Sequence, residues 1–225
     1  NGDGYSDVVI GAYGFDNGQT DEGKCYAYLG SSTGIGVSAV WTKESNEISG
    51  QFGISVSTAG DINGDGYSDV VVGAYAISAF TGSAYLYYGG ANMDTISDLT
   101  LTGEAASNFF GQSVAGAGDV NGDGYSDVIV GANLNDAGGT DAGRAYIYYG
   151  GSSPDNAADL LLTGVVAGDR LGASVSTAGD VNGDGYSDVI AGAPLNDAGG
   201  ANAGRSYIFF GGSNMNNTPD FSRSG

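Results

Sequence analysis

The stretch GDVNGDGYSDVIVGA, Gly118–Ala132, passes abruptly from Asp, Asn and Gly into a run of β-branched residues. Its heptad NGDGYSD is written four times, beginning at Asn1, Asn63, Asn121 and Asn182, so the starts lie 62, 58 and 61 residues apart. That period is too long for a coiled coil or collagen, and it suits a repeated supersecondary unit.

Working outward from the heptad, each repeat carries the same strand-like pieces in the same order. Before it stand FGISVSTAGD (Phe52–Asp61), FGQSVAGAGD (Phe110–Asp119) and LGASVSTAGD (Leu171–Asp180), built almost entirely of small side chains. After it come VVIGA, VVVGA, VIVGA and VIAGA, continuous apolar runs suited to a strand buried on both faces. A third piece, KCYAYLG, SAYLYYGG, RAYIYYGG or RSYIFFGG, places aromatics at alternate positions on one face of a pleated strand. The fourth is shorter and more polar: SDLTLTG, ADLLLTG and PDFSRSG, ending at Gly103, Gly164 and Gly225. Four strands per repeat with Gly-rich turns and no helical period predict an all-β chain of four-stranded antiparallel propeller blades. Small residues on the first piece fit strands that converge on a central channel. About four blades are expected: a partial one over residues 1–51, then 52–109, 110–170 and 171–225.

Composition agrees. The 225 residues include 43 Gly and 15 Tyr but only 3 Pro, and 41% are hydrophobic, which describes a turn-dense β protein with enough apolar surface for a core. A formal net charge of −20 disfavours nucleic acid and anionic membrane surfaces and favours cations as partners. No apolar run approaches the ~20 residues that span a bilayer. A single cysteine, Cys25, excludes an intrachain disulfide, so rigidity is expected from packing or metal. There is no His, which rules out Ser-His-Asp and Cys-His catalysis within these residues. Paired carboxylates able to hydrolyse glycosides are conceivable, but the acids cluster in repeated loops.

With its preceding Asp the heptad reads as a metal loop. Asp61, Asn63, Asp65 and Asp69 place side-chain oxygens at positions 1, 3, 5 and 9, Gly66 at position 6 allows the sharp turn, and Tyr67 offers its carbonyl at position 7. Asp119, Asn121, Asp123, Tyr125 and Asp127 repeat the ladder, as do Asp180, Asn182, Asp184, Tyr186 and Asp188. Oxygen donors without His or Cys point to Ca²⁺. An EF-hand is excluded, because position 12 is Val72, Val130 or Ala191 and not a bidentate Glu. Asn-Gly and Asp-Gly also form plain hairpin turns, but a turn needs two special residues, not oxygens at four fixed positions over nine. Asn1, Asp3, Tyr5 and Asp7 form a fourth loop lacking its position-1 Asp, and it is expected to bind calcium most weakly.

FG, then D-x-NGDGYSD, then VIVGA, then a Tyr-rich strand ending in Gly together resemble the FG-GAP repeat of integrin α-subunit propellers and bacterial relatives, over the whole chain. Only Gly192-Ala193-Pro194 spells GAP, and Leu171 stands for Phe in the last FG. The resemblance implies a calcium loop between the first and second strands of each blade, a parent propeller of seven blades, and a non-enzymatic, extracellular or cell-surface scaffold for binding and cell adhesion. Expected partners are a protein or glycan ligand on a loop face, and further blades or copies of this chain. Alternatives are the accessory propeller of a secreted hydrolase or lyase, and a lectin.

Three other features carry expectations. Trp41 is expected to plug a seam between blades in preference to stacking on a sugar. Cys25, where other repeats have Ala or Ser, reads as a small core residue. The loops NDAGGTDAGR and NDAGGANAGR link second and third strands, and Arg144 and Arg205 at their ends are expected to pair with a loop acid such as Asp136 or Asp197.

Overall fold

A computed structural model describes residues 1–91 and 93–225. Among them, fifteen strands form four antiparallel sheets in which sequence neighbours pair. The first sheet has three strands, β1 (Val8–Ala12), β2 (Lys24–Tyr28) and β3 (Trp41–Glu44). The second comprises β4 (Ser55–Gly60), β5 (Asp69–Ala74), β6 (Ser83–Tyr87) and β7 (Leu99–Thr102). In the third lie β8 (Phe110–Gly118), β9 (Asp127–Ala132), β10 (Arg144–Tyr148) and β11 (Leu160–Thr163). The fourth holds β12 (Ser174–Gly179), β13 (Asp188–Ala193), β14 (Arg205–Phe209) and β15 (Phe221–Ser224). The β-branched runs become second strands, and those of the two middle sheets, β5 and β9, are buried at every residue.

The core is distributed over three seams between sheets. Alternate residues of β9 serve two of them: Val128 and Val130 face the second sheet with Phe110, Tyr146 and Tyr148, while Ile129 faces the fourth with Ile147 and Val189. Register explains the division, since Val128 and Val130 stand opposite Tyr148 and Tyr146, and side chains alternate faces along a strand. Phe110 meets Tyr146 edge to face with ring centroids 5.1 Å apart. Leu171 takes the equivalent place in the next seam and is also buried. Trp41 closes the first seam, edge-on to Tyr87 at 5.1 Å and donating its indole N–H to the Asp94 carbonyl. Cys25 is buried in that seam, and burial pushes its thiol up to about 12.

First strands abut one another, which is why their residues are small. The Ser55 hydroxyl accepts the Val114 N–H at 3.1 Å, and Ser113 accepts that of Val175 at 3.0 Å. Closer still is the approach of each Phe-Gly or Leu-Gly to the preceding blade: a Cβ added at Gly11, Gly73 or Gly131 would lie 2.0 Å from the carbonyl oxygen of Gly53, Gly111 or Gly172.

Two details depart from expectation. Between β5 and β6 the chain makes a four-residue helical turn, α1 (Ile77–Phe80), with φ of 53° and 59° at Ser78 and Ala79. Phe80 there stacks against Phe109 at 5.3 Å, a contact that AISAFT gives no sign of. The arginine pairing is also corrected. Arg144 binds both Glu104 oxygens, at 2.9 and 3.0 Å, and Arg205 donates to the Ser222 hydroxyl. Asp136 and Asp197 instead accept the N–H groups of Asp141 and Asn202 and so cap their own loops. No helix among the described residues is long and apolar enough to cross a membrane.

Because the obstacle at Gly131 is backbone, Gly131→Ala must push the third and fourth blades apart. It is expected to cost about 1–3 kcal/mol, seen as a lower urea midpoint with unchanged secondary structure by circular dichroism.

Candidate metal loops

Each of the three complete heptad loops joins a first strand to a second and is organised by hydrogen bonds to its acids. Asp61 Oδ1 accepts the N–H groups of Gly64 and Asp65 at 2.8 and 3.0 Å, and its Oδ2 accepts that of Gly66 at 2.9 Å. Asn63 Oδ1 takes the Asp65 N–H, Asn63 donates its amide to Asp65 Oδ2, and Asp65 Oδ1 takes the Tyr67 N–H. The same bonds recur around Asp119, Asn121 and Asp123 and around Asp180, Asn182 and Asp184. Positions 1, 3 and 5 thus hold one folded loop three times over. Most carboxylate oxygens retain an acceptor lone pair beyond the bonds they make.

Position 9 lies deeper. Asp69, Asp127 and Asp188 are fully buried at the head of the second strand. One oxygen of each accepts the N–H of Ile62, Val120 or Val181, and the other accepts that of Gly89, Gly150 or Gly211, just past the third strand. Burial, reinforced by the other loop acids, raises Asp69 to about 6 and Asp127 to about 7, against the pull of those two N–H groups. These glycines escape a search for ligand ladders. Their signal is the Gly that recurs after every aromatic strand, at Gly30, Gly89, Gly150 and Gly211.

Asn1, Asp3, Tyr5 and Asp7 keep part of this frame. Asp3 accepts the Tyr5 N–H, which with the Asn1 amide holds its carboxyl below the usual range, and Asp7 accepts the Gly30 N–H at 2.9 Å. The rings of the position-7 tyrosines lie over the loop of the preceding blade. A Cβ added at Gly2, Gly64 or Gly122 would come within 2.8, 2.5 or 2.3 Å of the ring of Tyr67, Tyr125 or Tyr186. Among the described residues no three Asp, Glu, His or Cys side chains are gathered tightly enough to cage a metal by themselves.

Repeats that interlock in this way define a class. The family described as FG-GAP repeat matches residues 1–28, 52–87, 110–148 and 171–209, more than half of the chain. The chain belongs to the FG-GAP repeat family, and its sheets are propeller blades. It is similar to integrin alpha-5 of Xenopus laevis, 34% identical over 89 residues, which is 37% of this chain and 8% of that protein. Similarity extends to the phosphatidylinositol-glycan-specific phospholipase D of Bos taurus, 35% over 101 residues, 40% of this chain and 12% of that one. Integrin alpha-PS2 of Drosophila melanogaster matches at 38% over 98 residues, 39% of this chain and 7% of its own length. The matched region is thus a small part of each relative.

Asp127→Asn places an amide NH₂ against one of two buried N–H donors. It is expected to cost about 1–3 kcal/mol in chelator as well as in calcium, checked by urea unfolding under both conditions.

Proposed function

We propose that this chain is a calcium-stabilised binding scaffold, a non-catalytic stretch of propeller working outside the cell or at its surface. The observation that supports this most is the threefold recurrence of one oxygen-only loop whose tyrosine ring grips the loop before it. The donor chemistry fits a hard cation: three carboxylates, an Asn oxygen and a backbone carbonyl per complete loop. To be held, the ion must draw positions 1, 5 and 9 together and take further donors from Asn63 and the Tyr67 carbonyl, or their counterparts. Closing a loop in this way tightens the seam as well as the turn. Millimolar extracellular calcium suits sites of modest affinity, and the likeness to integrin alpha subunits favours protein ligands and neighbouring blades as partners. A second reading, the accessory propeller of a hydrolase, rests on the likeness to phospholipase D.

Calcium at about 100 times Kd is expected to add about 2.7 kcal/mol per site to the unfolding free energy, so excess chelator lowers Tm. Asp123→Ala removes part of the calcium-induced rise, and through the lost Tyr125 N–H and Asn121 amide bonds it also lowers the melt in chelator by a smaller amount. A melt that ignores chelator sinks the calcium reading. Calorimetry on the 225-residue chain is expected to resolve three comparable sites, with the Asn1–Asp7 loop weaker than these.

A further inference from the structure

The heptad that folds the loops also writes Asn followed by Gly, the dipeptide whose carboxamide closes most readily on the next backbone nitrogen, because no Cβ hinders the attack. In the three complete loops that reaction is blocked by hydrogen bonds. The Gly64, Gly122 and Gly183 N–H groups donate to Asp61, Asp119 and Asp180 at 2.7–2.8 Å, which withholds the nucleophile. The carboxamides of Asn63, Asn121 and Asn182 are held at both ends, the oxygen by the N–H and the amide nitrogen by the carboxylate of the Asp two residues on. Asp3 ties down the Asn1 carboxamide in the same way.

One Asn-Gly pair lies outside the heptads, at Asn17-Gly18 in the loop between β1 and β2, and there the restraints are missing. Both residues are exposed, and the Gly18 N–H donates no hydrogen bond among the described residues. Nothing comes within 4 Å of a Cβ placed at Gly18, where φ is 101°. The third blade has the same loop, closed by Asp136 as this one is by Asp16. Its matching pair is Ala137-Gly138, and a Cβ at Gly138 would lie 1.7 Å from the Gly164 carbonyl oxygen. The Asn17 carboxamide makes a single hydrogen bond, from its nitrogen to Glu44 Oε2 at 3.0 Å.

We propose that Asn17 is a site of spontaneous covalent modification, its carboxamide cyclising onto the Gly18 nitrogen, while the position-1 aspartates shield the heptad Asn-Gly pairs from the same reaction. The Gly18 nitrogen bonds to Asn17 Cγ and gives up its proton, the Cγ–Nδ2 bond breaks, and Nδ2 leaves as ammonia. Water then opens the succinimide at either carbonyl, leaving an aspartate or a β-aspartyl linkage. Either product sets a carboxylate where an amide nitrogen faced Glu44. The β-linkage also adds one carbon to the main chain of a loop that must hold register. In that loop the Asn17 N–H donates to the fully buried Glu22, and the Thr20, Asp21 and Glu22 carbonyls accept the N–H groups of Ser49, Gln51 and Phe52. Modification therefore loosens the first seam. The proposal rests on these hydrogen bonds and not on calcium.

The test is storage of the full chain in warm neutral buffer, in chelator and in calcium, followed by digestion and tandem mass spectrometry that localises the amide-to-acid mass gain and separates β-aspartyl peptides. Asn17 is expected to convert about tenfold or more faster than Asn63, Asn121 and Asn182, the scale set by the hydrogen bonds that must break to free a heptad nucleophile. The same order is expected in both buffers, so failure of the calcium reading leaves this result intact. Asp119→Ala in chelator, which releases the Gly122 N–H, is expected to speed Asn121 while Asn63 and Asn182 of the same chain stay slow. Storage is expected to lower the urea midpoint of the unsubstituted chain and not that of Asn17→Gln, whose longer side chain closes its ring far more slowly. The proposal is overturned if Asn17 converts no faster than the three heptad asparagines, or if Asn121 of the Asp119→Ala chain converts no faster than Asn63 and Asn182. It is overturned equally if the unsubstituted and Asn17→Gln chains lose stability alike.

Discussion

Everything in this fold depends on the approach of one repeat's Phe-Gly backbone to the second-strand glycine of the repeat before it. A single blade has no interior of its own: its two faces are apolar, and burial comes only when another sheet lies against them. The 2.0 Å gap between a would-be Cβ and the facing carbonyl at three successive seams shows how closely the sheets must come. Once that contact is made, the aromatic rows of the third strands and the β-branched rows of the second reach one another. The cores around Phe52, Phe110 and Leu171 then close.

The heptad loops are built on the same logic. Position 9 is a buried strut between the loop and the end of the third strand, while positions 1, 3 and 5 fold the turn and the tyrosine ring crosses the seam. A plain turn and a metal loop are therefore not rival accounts of these residues. The hydrogen bonds make the turn, and they leave a concentration of carboxylate that the proposed cation would relieve.

The strands and the loops were legible in the residues because each rests on local rules. Period-two aromatics, β-branched runs and Asp-Gly turns are fixed by neighbours a few positions away. Legibility failed where partners lie far along the chain. Arg144 faces Glu104, forty positions earlier, while the nearby Asp136 is consumed by its own loop. Glu104 has Val165 as its counterpart in the next repeat, so Arg205 finds a serine instead. In the turn at Ile77–Phe80, Phe80 meets Tyr75 of its own blade and Phe109 across a seam, and the Phe109 contact is information absent from the loop itself.

The sequence by itself determined the repeat, the four-strand order within it and the ladder of oxygen positions. Those are properties of composition and spacing, and backbone sterics translate them directly into strands and turns. Tertiary structure alone decided which acids are buried struts and which glycines carry a neighbour's backbone or ring. The reason is physical: each of these is settled by atoms brought together from residues well separated in the chain, about twenty positions for the far partner of each strut, about forty for the facing glycines and about sixty for the tyrosine rings, over which no local rule acts.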